Sequence, residues 1–367
     1  MKQVGSRHVW LGVLTLVVCA FAQWSWAQSA NAQTKIPPPP SEQKPPQQQS
    51  NVPTIRITNN LVLVPVTVKD ARGDLVADLQ QNDFRIFQDG VQQKIQNFWD
   101  QAFPVSAVVL LDDNLPMGEA KKVQQSLDSI AAGFSANDEV ALVRFDEFPK
   151  TVLDFTQNND ALFAQLKKIR TDAKGLGSRY PATPSSTMTD PPRVNGHTAG
   201  GAADIPVLGT NTNGVTKHLD DAVHYAAEML RSRERSRRRV IFIVSDGKND
   251  RNNKWSFRNT LQLLLSSNVS VYAVAVDSPL DVITFQGKGR LTQYTAPTGG
   301  DVIAASKPQE IERLYAKLAD EARNQYTLAF NPSKTVGQGN CHSLEVRVER
   351  PNLYVTARQG YCAEFPR

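Results

Sequence analysis

Val105-Ser106-Ala107-Val108-Val109-Leu110-Leu111-Asp112-Asp113-Asn114 is an apolar run of strand length that ends abruptly in paired carboxylates. Residues on both alternating faces of Val105 to Leu111 are apolar or small. Such a run predicts a strand covered on both sides, as in a parallel sheet between helices. The next segments alternate helix and strand in the same way. Met117 to Phe134 reads as a helix with Val123, Leu127, Ile130 and Ala131 on one face. Glu139 to Phe145 reads as a strand, Thr151 to Phe155 as its antiparallel neighbour, and Asp160 to Ile169 as a helix. Helices are predicted over Val215 to Arg233, Ser256 to Leu265 and Glu310 to Arg323, and strands over Arg239 to Val244, Val269 to Val276 and Asp301 to Ala304. Gly287-Lys288-Gly289 reads as a turn. The alternation defines an α/β domain over 103–324, a mostly parallel sheet with helices on both faces. Within it, 171–214 is rich in Gly, Ser, Thr and Pro and is expected to be a long, protease-sensitive loop beside the binding face.

Outward from this core the chain reads as β. Over 53–102, Ile55-Arg56-Ile57, Leu61 to Val68, Phe84 to Phe87 and Gln93 to Phe98 carry strand patterns, with turns at Ala71 to Asp74 and Asp89-Gly90. Over 325–367, Gln325 to Phe330 is a strand, and Leu344 to Val348 with Leu353 to Arg358 alternate about Arg350-Pro351-Asn352 as a hairpin. Both ends of the α/β domain are expected to emerge on one side, so these segments should pair into one small β module. A hairpin turning at Pro351 brings Cys341 and Cys362 nearly opposite at its open end, which predicts a disulfide.

Residues 1–27 read as a signal peptide. Lys2 and Arg7 precede an apolar stretch from Val9 to Phe21, and small residues come after it at Ser25 and Ala27 or at Ala30 and Ala32. Cleavage near Ala27 is expected, with an uncleaved anchor as the alternative; the apolar run is short for a bilayer span. Export places the protein in the periplasm or outside the cell, with no membrane span in the mature chain. Of three cysteines, Cys19 then leaves with the leader, and the remaining pair meets an oxidising compartment. Residues 28–52, with Pro37 to Pro40 and Pro45-Pro46, read as a disordered Pro/Gln-rich linker. The formal net charge is +5, to which Lys2 and Arg7 contribute, so no nucleic-acid role is indicated.

In a parallel sheet the binding crevice lies beyond the carboxyl ends of the strands. Those ends carry Asp112, Asp113 and Asp246, with Asp220, Asp221 and Asp250 nearby. Converging carboxylates suit Mg²⁺, Mn²⁺ or Ca²⁺, or alternatively serve as caps at helix N-termini. Arg231, Arg233, Arg235, Arg237, Arg238 and Arg239 form a basic cluster. It reads either as a solvated helix end or as a contact for an anionic polysaccharide or acidic partner. His218 and His224 are six apart and do not share a helix face. No nucleophile elbow, phosphate loop or dinucleotide fingerprint occurs.

Val105 to Met117, the strand end Ile241-Phe242-Ile243-Val244-Ser245-Asp246-Gly247 and the helix Asp221-Ala222-Val223 resemble the von Willebrand factor type A (VWA) domain. The entry Asn82-Asp83-Phe84, Arg85 to Gly90 and the ending Arg358-Gln359-Gly360-Tyr361 resemble, more narrowly, the VWA-related proteins of Acidobacteria. The resemblance implies a Rossmann-like fold and a metal-ion-dependent adhesion site, whose first motif is Asp-x-Ser-x-Ser, followed by a Thr and an Asp. Asp112 and Asp246 match. Asn114 and Pro116 replace the two serines, and the Thr position falls at Thr216 or Lys217. The implied metal set is therefore Asp112, Asn114, Thr216 and Asp246, with Asp113, Lys217 and Asp250 on the surrounding ligand face. It is a degenerate site, in which Lys217 is a candidate built-in cation and divalent-metal binding is expected to be weak or absent. The implied function is adhesion or protein–protein binding without catalysis. The alternatives are a metal-assisted hydrolase of the envelope and a purely structural envelope component.

Overall fold

The computed structural model describes residues 61–171, 176, 193–194, 197–198, 217–276, 288–332 and 340–362. The expected leader, the linker, the strand at Ile55 to Ile57, Thr216 and nearly all of the loop 171–214 lie outside the described residues. Residues Ile57–Arg367 cluster as one compact unit.

In chain order, β1 (Val62–Lys69), β2 (Phe84–Gln88), β3 (Val91–Gln93) and β4 (Ile95–Trp99) precede the α/β part. That part contains β5 (Val105–Asp112), α1 (Met117–Ala132), β6 (Glu139–Phe145), β7 (Pro149–Thr156), α2 (Asn159–Thr171), the two-residue strands β8 (Arg193–Val194) and β9 (His197–Thr198), and α3 (Leu219–Arg231). It continues with β10 (Arg238–Ser245), α4 (Phe257–Ser266), β11 (Val269–Val276), α5 (Lys288–Thr298), β12 (Val302–Ala305) and α6 (Pro308–Arg323). The chain ends through β13 (Tyr326–Phe330), β14 (Cys341–Val348), β15 (Tyr354–Ala357) and β16 (Gly360–Cys362).

The central sheet has the order β12-β11-β10-β5-β6-β7, parallel except for the edge strand β7. Every residue of β5, β10 and β11 is buried, because helices cover both faces. The period of two divides each strand between two cores. Ala107, Val109 and Leu111 pack with α1, α2 and α6, whereas Val108 and Leu110 pack with α3, α4 and α5. The chain passes from β5 to β6 on one side and later from β10 to β11 on the other. The strand order therefore reverses between β5 and β10, which is the switch point where such sheets bind ligands.

The flanking β segments interleave. One sheet has the order β15-β1-β13-β4 and the other β16-β14-β2-β3, and both contribute to one core that includes Val64, Val66, Phe84, Ile86, Tyr326, Phe330 and Leu344. Asp89 and Gly90 both have positive φ (50° and 78°), the backbone of a two-residue type I′ hairpin turn, which accounts for the Asp-Gly pair there.

Three expectations are corrected. The single strand expected over Gln93 to Phe98 is two strands. β3 pairs with β2, and beyond Lys94 β4 pairs with β13 in the other sheet. The hairpin expected about Pro351 splays, since β14 pairs with β2 and β15 with β1. The turn expected at 287–289 is replaced at Lys288 by the start of α5. That helix buries the apolar Leu291 and Tyr294 and contains Pro297, so its periodicity is faint in the sequence.

The open end of the expected hairpin still closes. β16 returns to β14 with Cys341 opposite Cys362, and the two form a disulfide with Cα atoms 4.0 Å apart. Closing a loop of 21 residues restricts the unfolded chain. Reduction is accordingly expected to cost about 3 kcal/mol, measured by denaturant unfolding with and without reductant. Free thiols in the purified protein would contradict the bridge.

Candidate functional site

Because β5 and β10 are neighbours in register, Asp112, the last residue of β5, and Asp246, the first residue after β10, come to one place. Lys217 fills the space between them. Its Nζ lies 2.7 Å from Asp112 Oδ2 and 2.7 Å from Asp246 Oδ1. All three groups are buried, the Lys217 side chain being 6% exposed. Ser245 Oγ donates to Asp112 Oδ2 (2.5 Å), and the backbone N–H of Asn114 donates to Asp112 Oδ1 (2.9 Å). The Lys248 N–H donates to Asp246 Oδ1 (3.0 Å). Burial alone would push the Lys217 ammonium down. The charges and hydrogen bonds of Asp112 and Asp246 outweigh burial and hold it above the ordinary lysine value. Lys217 is therefore a fixed cation at neutral pH.

Its backbone is held as firmly. The Lys217 N–H donates to Asp250 Oδ2 (2.5 Å), the Asp250 N–H donates back to the Lys217 carbonyl (2.8 Å), and the His218 N–H donates to the Asp146 carbonyl (2.9 Å). Asp221 accepts from the N–H groups of Lys254 (2.9 Å) and Trp255 (2.8 Å) and so folds the loop after β10 onto α3. Asp220 is buried beneath this loop, where it accepts from Tyr294 Oη (2.7 Å) and Asn249 Nδ2 (3.1 Å) and pairs with Arg290 (3.1 Å). Burial pushes the Asp220 carboxyl up despite these partners. These acids organise the loops; their bonds are to the protein itself.

Asp113 does not join the Lys217 cluster. It is buried against Arg144 of β6, whose Nε is 3.0 Å from Asp113 Oδ1. Adjacent residues at the end of a strand point to opposite faces, and here one faces Lys217 and the next Arg144. Of the residues expected on a ligand face, Asp113 and Lys217 are thus committed internally and Asp250 is exposed. Pro116 is the N-cap residue of α1 and offers no side-chain ligand.

A divalent cation does not fit this arrangement. An ammonium already occupies the space between the two carboxylates that the strand ends direct there, and a second cation at contact distance would be repelled. Among the described residues no group of three or more His, Cys, Asp or Glu has the geometry to hold a metal ion.

The basic cluster is also mostly turned inward. Arg233 pairs with Glu139 (2.6 Å), Arg237 with Ser106 Oγ (3.0 Å) and Glu139 (3.6 Å), and Arg238 and Arg239 are buried, donating to main-chain carbonyls. The reading as a solvated helix end is corrected for Arg233, Arg237, Arg238 and Arg239, which make specific internal contacts. Sequence reasoning missed two other residues at the strand ends. Met117, the first residue of α1, is 86% exposed, and Phe148, in the turn after β6, is 68% exposed. Asp112 pairs with Phe145 in the sheet, so both loops border the Lys217 cluster. The available signal was an apolar residue beside a turn proline, Met117 directly after Pro116 and Phe148 directly before Pro149.

Residues 203–315 match the family model described as the von Willebrand factor type A domain. The matched stretch contains Lys217 and Asp246 and begins after β5. No curated protein sequence matches. Among solved structures, a von Willebrand factor type A protein from Catenulispora acidiphila is 8% identical, with 78% of this chain and 75% of that one covered and a TM-score of 0.40. An aerotolerance-related membrane protein from Bacteroides fragilis is 12% identical, with coverage of 59% and 99% and a TM-score of 0.38. Proximal thread matrix protein 1 from the mussel byssus, with a zinc-occupied MIDAS motif, is 12% identical, with coverage of 61% and 49% and a TM-score of 0.39.

Proposed function

We propose that the VWA-like domain of this chain is an exported protein-binding module that docks its partner at the carboxyl ends of the sheet strands without a divalent cation. The observation that carries the reading is the Lys217 bridge, which neutralises the site where a VWA domain would otherwise seat a metal. A partner then gains nothing from offering an acidic group to a cation there. The exposed groups around the bridge are Met117 and Phe148, with Lys248 and Asp250, a small apolar contact with a charged rim, as in protein interfaces. Binding without catalysis is favoured because Asp112 and Asp246 are consumed by Lys217 and neither is placed to act as a base. Export is supported by the charged, apolar and small-residue order of 1–27 and by the Cys341–Cys362 bridge. Among the described residues no helix is long and apolar enough to cross a membrane.

The test is crosslinking capture from envelope and medium fractions of the native cells, with and without EDTA. A saturable partner retained in EDTA is expected. The double variant Met117→Glu, Phe148→Glu should weaken capture by roughly 30-fold or more, the scale of losing an interface anchor, with unfolding unchanged. Capture abolished by EDTA, or undiminished in the variant, would reject the reading. Turnover of a substrate panel that Asp246→Ala removes would establish an enzyme instead.

A further inference from the structure

At the other end of the central sheet, beneath the start of β10, lies a cavity of about 240 Å³ between the α/β part and the β module. Strand β10 separates it from Asp246 by eight residues, about 25 Å at roughly 3.3 Å per residue. The lining has an unusual charge balance. It includes four arginines, Arg235, Arg237, Arg238 and Arg239, and no acidic residue. The half-buried rings of Trp99 and Phe103 form its apolar side, in edge contact with centroids 6.5 Å apart. Arg238 is 9% exposed, and its guanidinium lies over the Phe103 ring at 5.1 Å. Its hydrogen bonds go to the side-chain and main-chain oxygens of Gln325, and its Nε has no partner. No carboxylate is within ion-pair distance of it among the described residues. Burial pushes it down to about 10. A buried cation without a counter-charge is costly unless an anion joins it.

We propose that this cavity binds a small organic carboxylate with a flat apolar body, the ring seated against Trp99 and Phe103 and the carboxylate facing Arg238. The volume is below the roughly 300–1,000 Å³ of sites for drug-sized ligands, so the occupant is of single-ring size. The apolar side excludes a bare inorganic anion as the preferred ligand, and the arginines exclude a neutral hydrocarbon. The site is independent of the partner face and does not rest on that reading.

Phenylacetate and its neutral analogue phenylacetamide are the probes, titrated into the wild-type chain by calorimetry and by tryptophan fluorescence. Saturable phenylacetate binding is expected, with phenylacetamide at least tenfold weaker and sulfate alone without effect. Arg238→Gln should lose tenfold or more, and Trp99→Ala a similar factor. The acid–amide comparison needs no variant, so it stands even if Arg238→Gln does not fold. No saturable binding of phenylacetate at tens of millimolar would overturn the proposal. So would equal affinity for acid and amide, or undiminished binding in Trp99→Ala.

Discussion

Lys217→Ala is expected to lower the stability of the protein by roughly 3–5 kcal/mol at neutral pH, the cost of leaving buried charge without its partner. The substitution removes an ammonium that contacts Asp112 and Asp246 at 2.7 Å each and leaves two buried carboxylates facing the same space. Their mutual repulsion, at low effective dielectric, is relieved in one of two ways. One is a proton: burial and the Asp246 charge already push Asp112 up, so acidification should narrow the gap between variant and wild type. The other is a small divalent ion, for which the vacated space and the two carboxylates become available. Millimolar Mg²⁺ or Ca²⁺ should then stabilise Lys217→Ala, by about 2.7 kcal/mol at a hundred times its dissociation constant, and leave the wild type unmoved. Urea unfolding of both proteins with and without the ion measures this. A wild type stabilised by Mg²⁺, through an effect that Asp246→Ala removes, would show that the lysine does not exclude a metal.

The same cluster shows what is legible in a single chain. Asp112 and Asp246 were identifiable because each ends an apolar run buried on both faces, and because strand order places β5 beside β10. The resemblance made Lys217 a candidate built-in cation, but the reach of its ammonium to both carboxylates is side-chain geometry across a loop, of which the sequence gives residue type alone. The pairing of Asp113 with Arg144 depends on the register of β5 against β6, and nothing local encodes it. The all-buried strands β5, β10 and β11 were readable for the reason that hid α5. A strand covered on both faces must be apolar throughout, whereas a helix tucked between a sheet and solvent needs only Leu291 and Tyr294 inward and tolerates Pro297 near its end. The split of the expected hairpin between two sheets is a third kind of failure. Both strands of Leu344 to Arg358 have the right alternation, but β1 and β2 are competing partners from the far end of the chain. They win because they bring the shared core with Val66, Phe84 and Tyr361. Met117 and Phe148 flank turns, outside any periodic stretch, where the hydrophobic pattern assigns no face.

Asp138→Ala is expected to be as damaging as Lys217→Ala, although Asp138 lies at the opposite end of β5 from the Lys217 cluster. It sits in the turn between α1 and β6 with a fully buried side chain. Its Oδ1 accepts from the Val105 N–H (2.8 Å), the first of β5. Its Oδ2 accepts from the Ser135 N–H and Oγ (2.8 Å each) and from Arg323 Nη2 (2.7 Å), at the last residue of α6. One carboxylate thus fastens the start of the central strand, the preceding turn and the end of a helix. Alanine would strand two main-chain donors and a partly buried guanidinium, a loss of roughly 3–5 kcal/mol. The pH dependence has a definite sign. Burial raises the Asp138 carboxyl, but the hydrogen bonds from Arg323, Ser135 and Val105 outweigh it and hold it below the ordinary aspartate value. A depressed native pKa gives stability that is complete above the unfolded-state value of about 3.9 and lost as pH falls through the native value. The difference between wild type and Asp138→Ala should accordingly be flat from about pH 7 to about pH 5 and shrink below about pH 4. Unfolding free energies measured across that range decide it. A difference that grows on acidification, or a loss under about 1 kcal/mol at neutral pH, would show that β5 and α6 are held without this carboxylate.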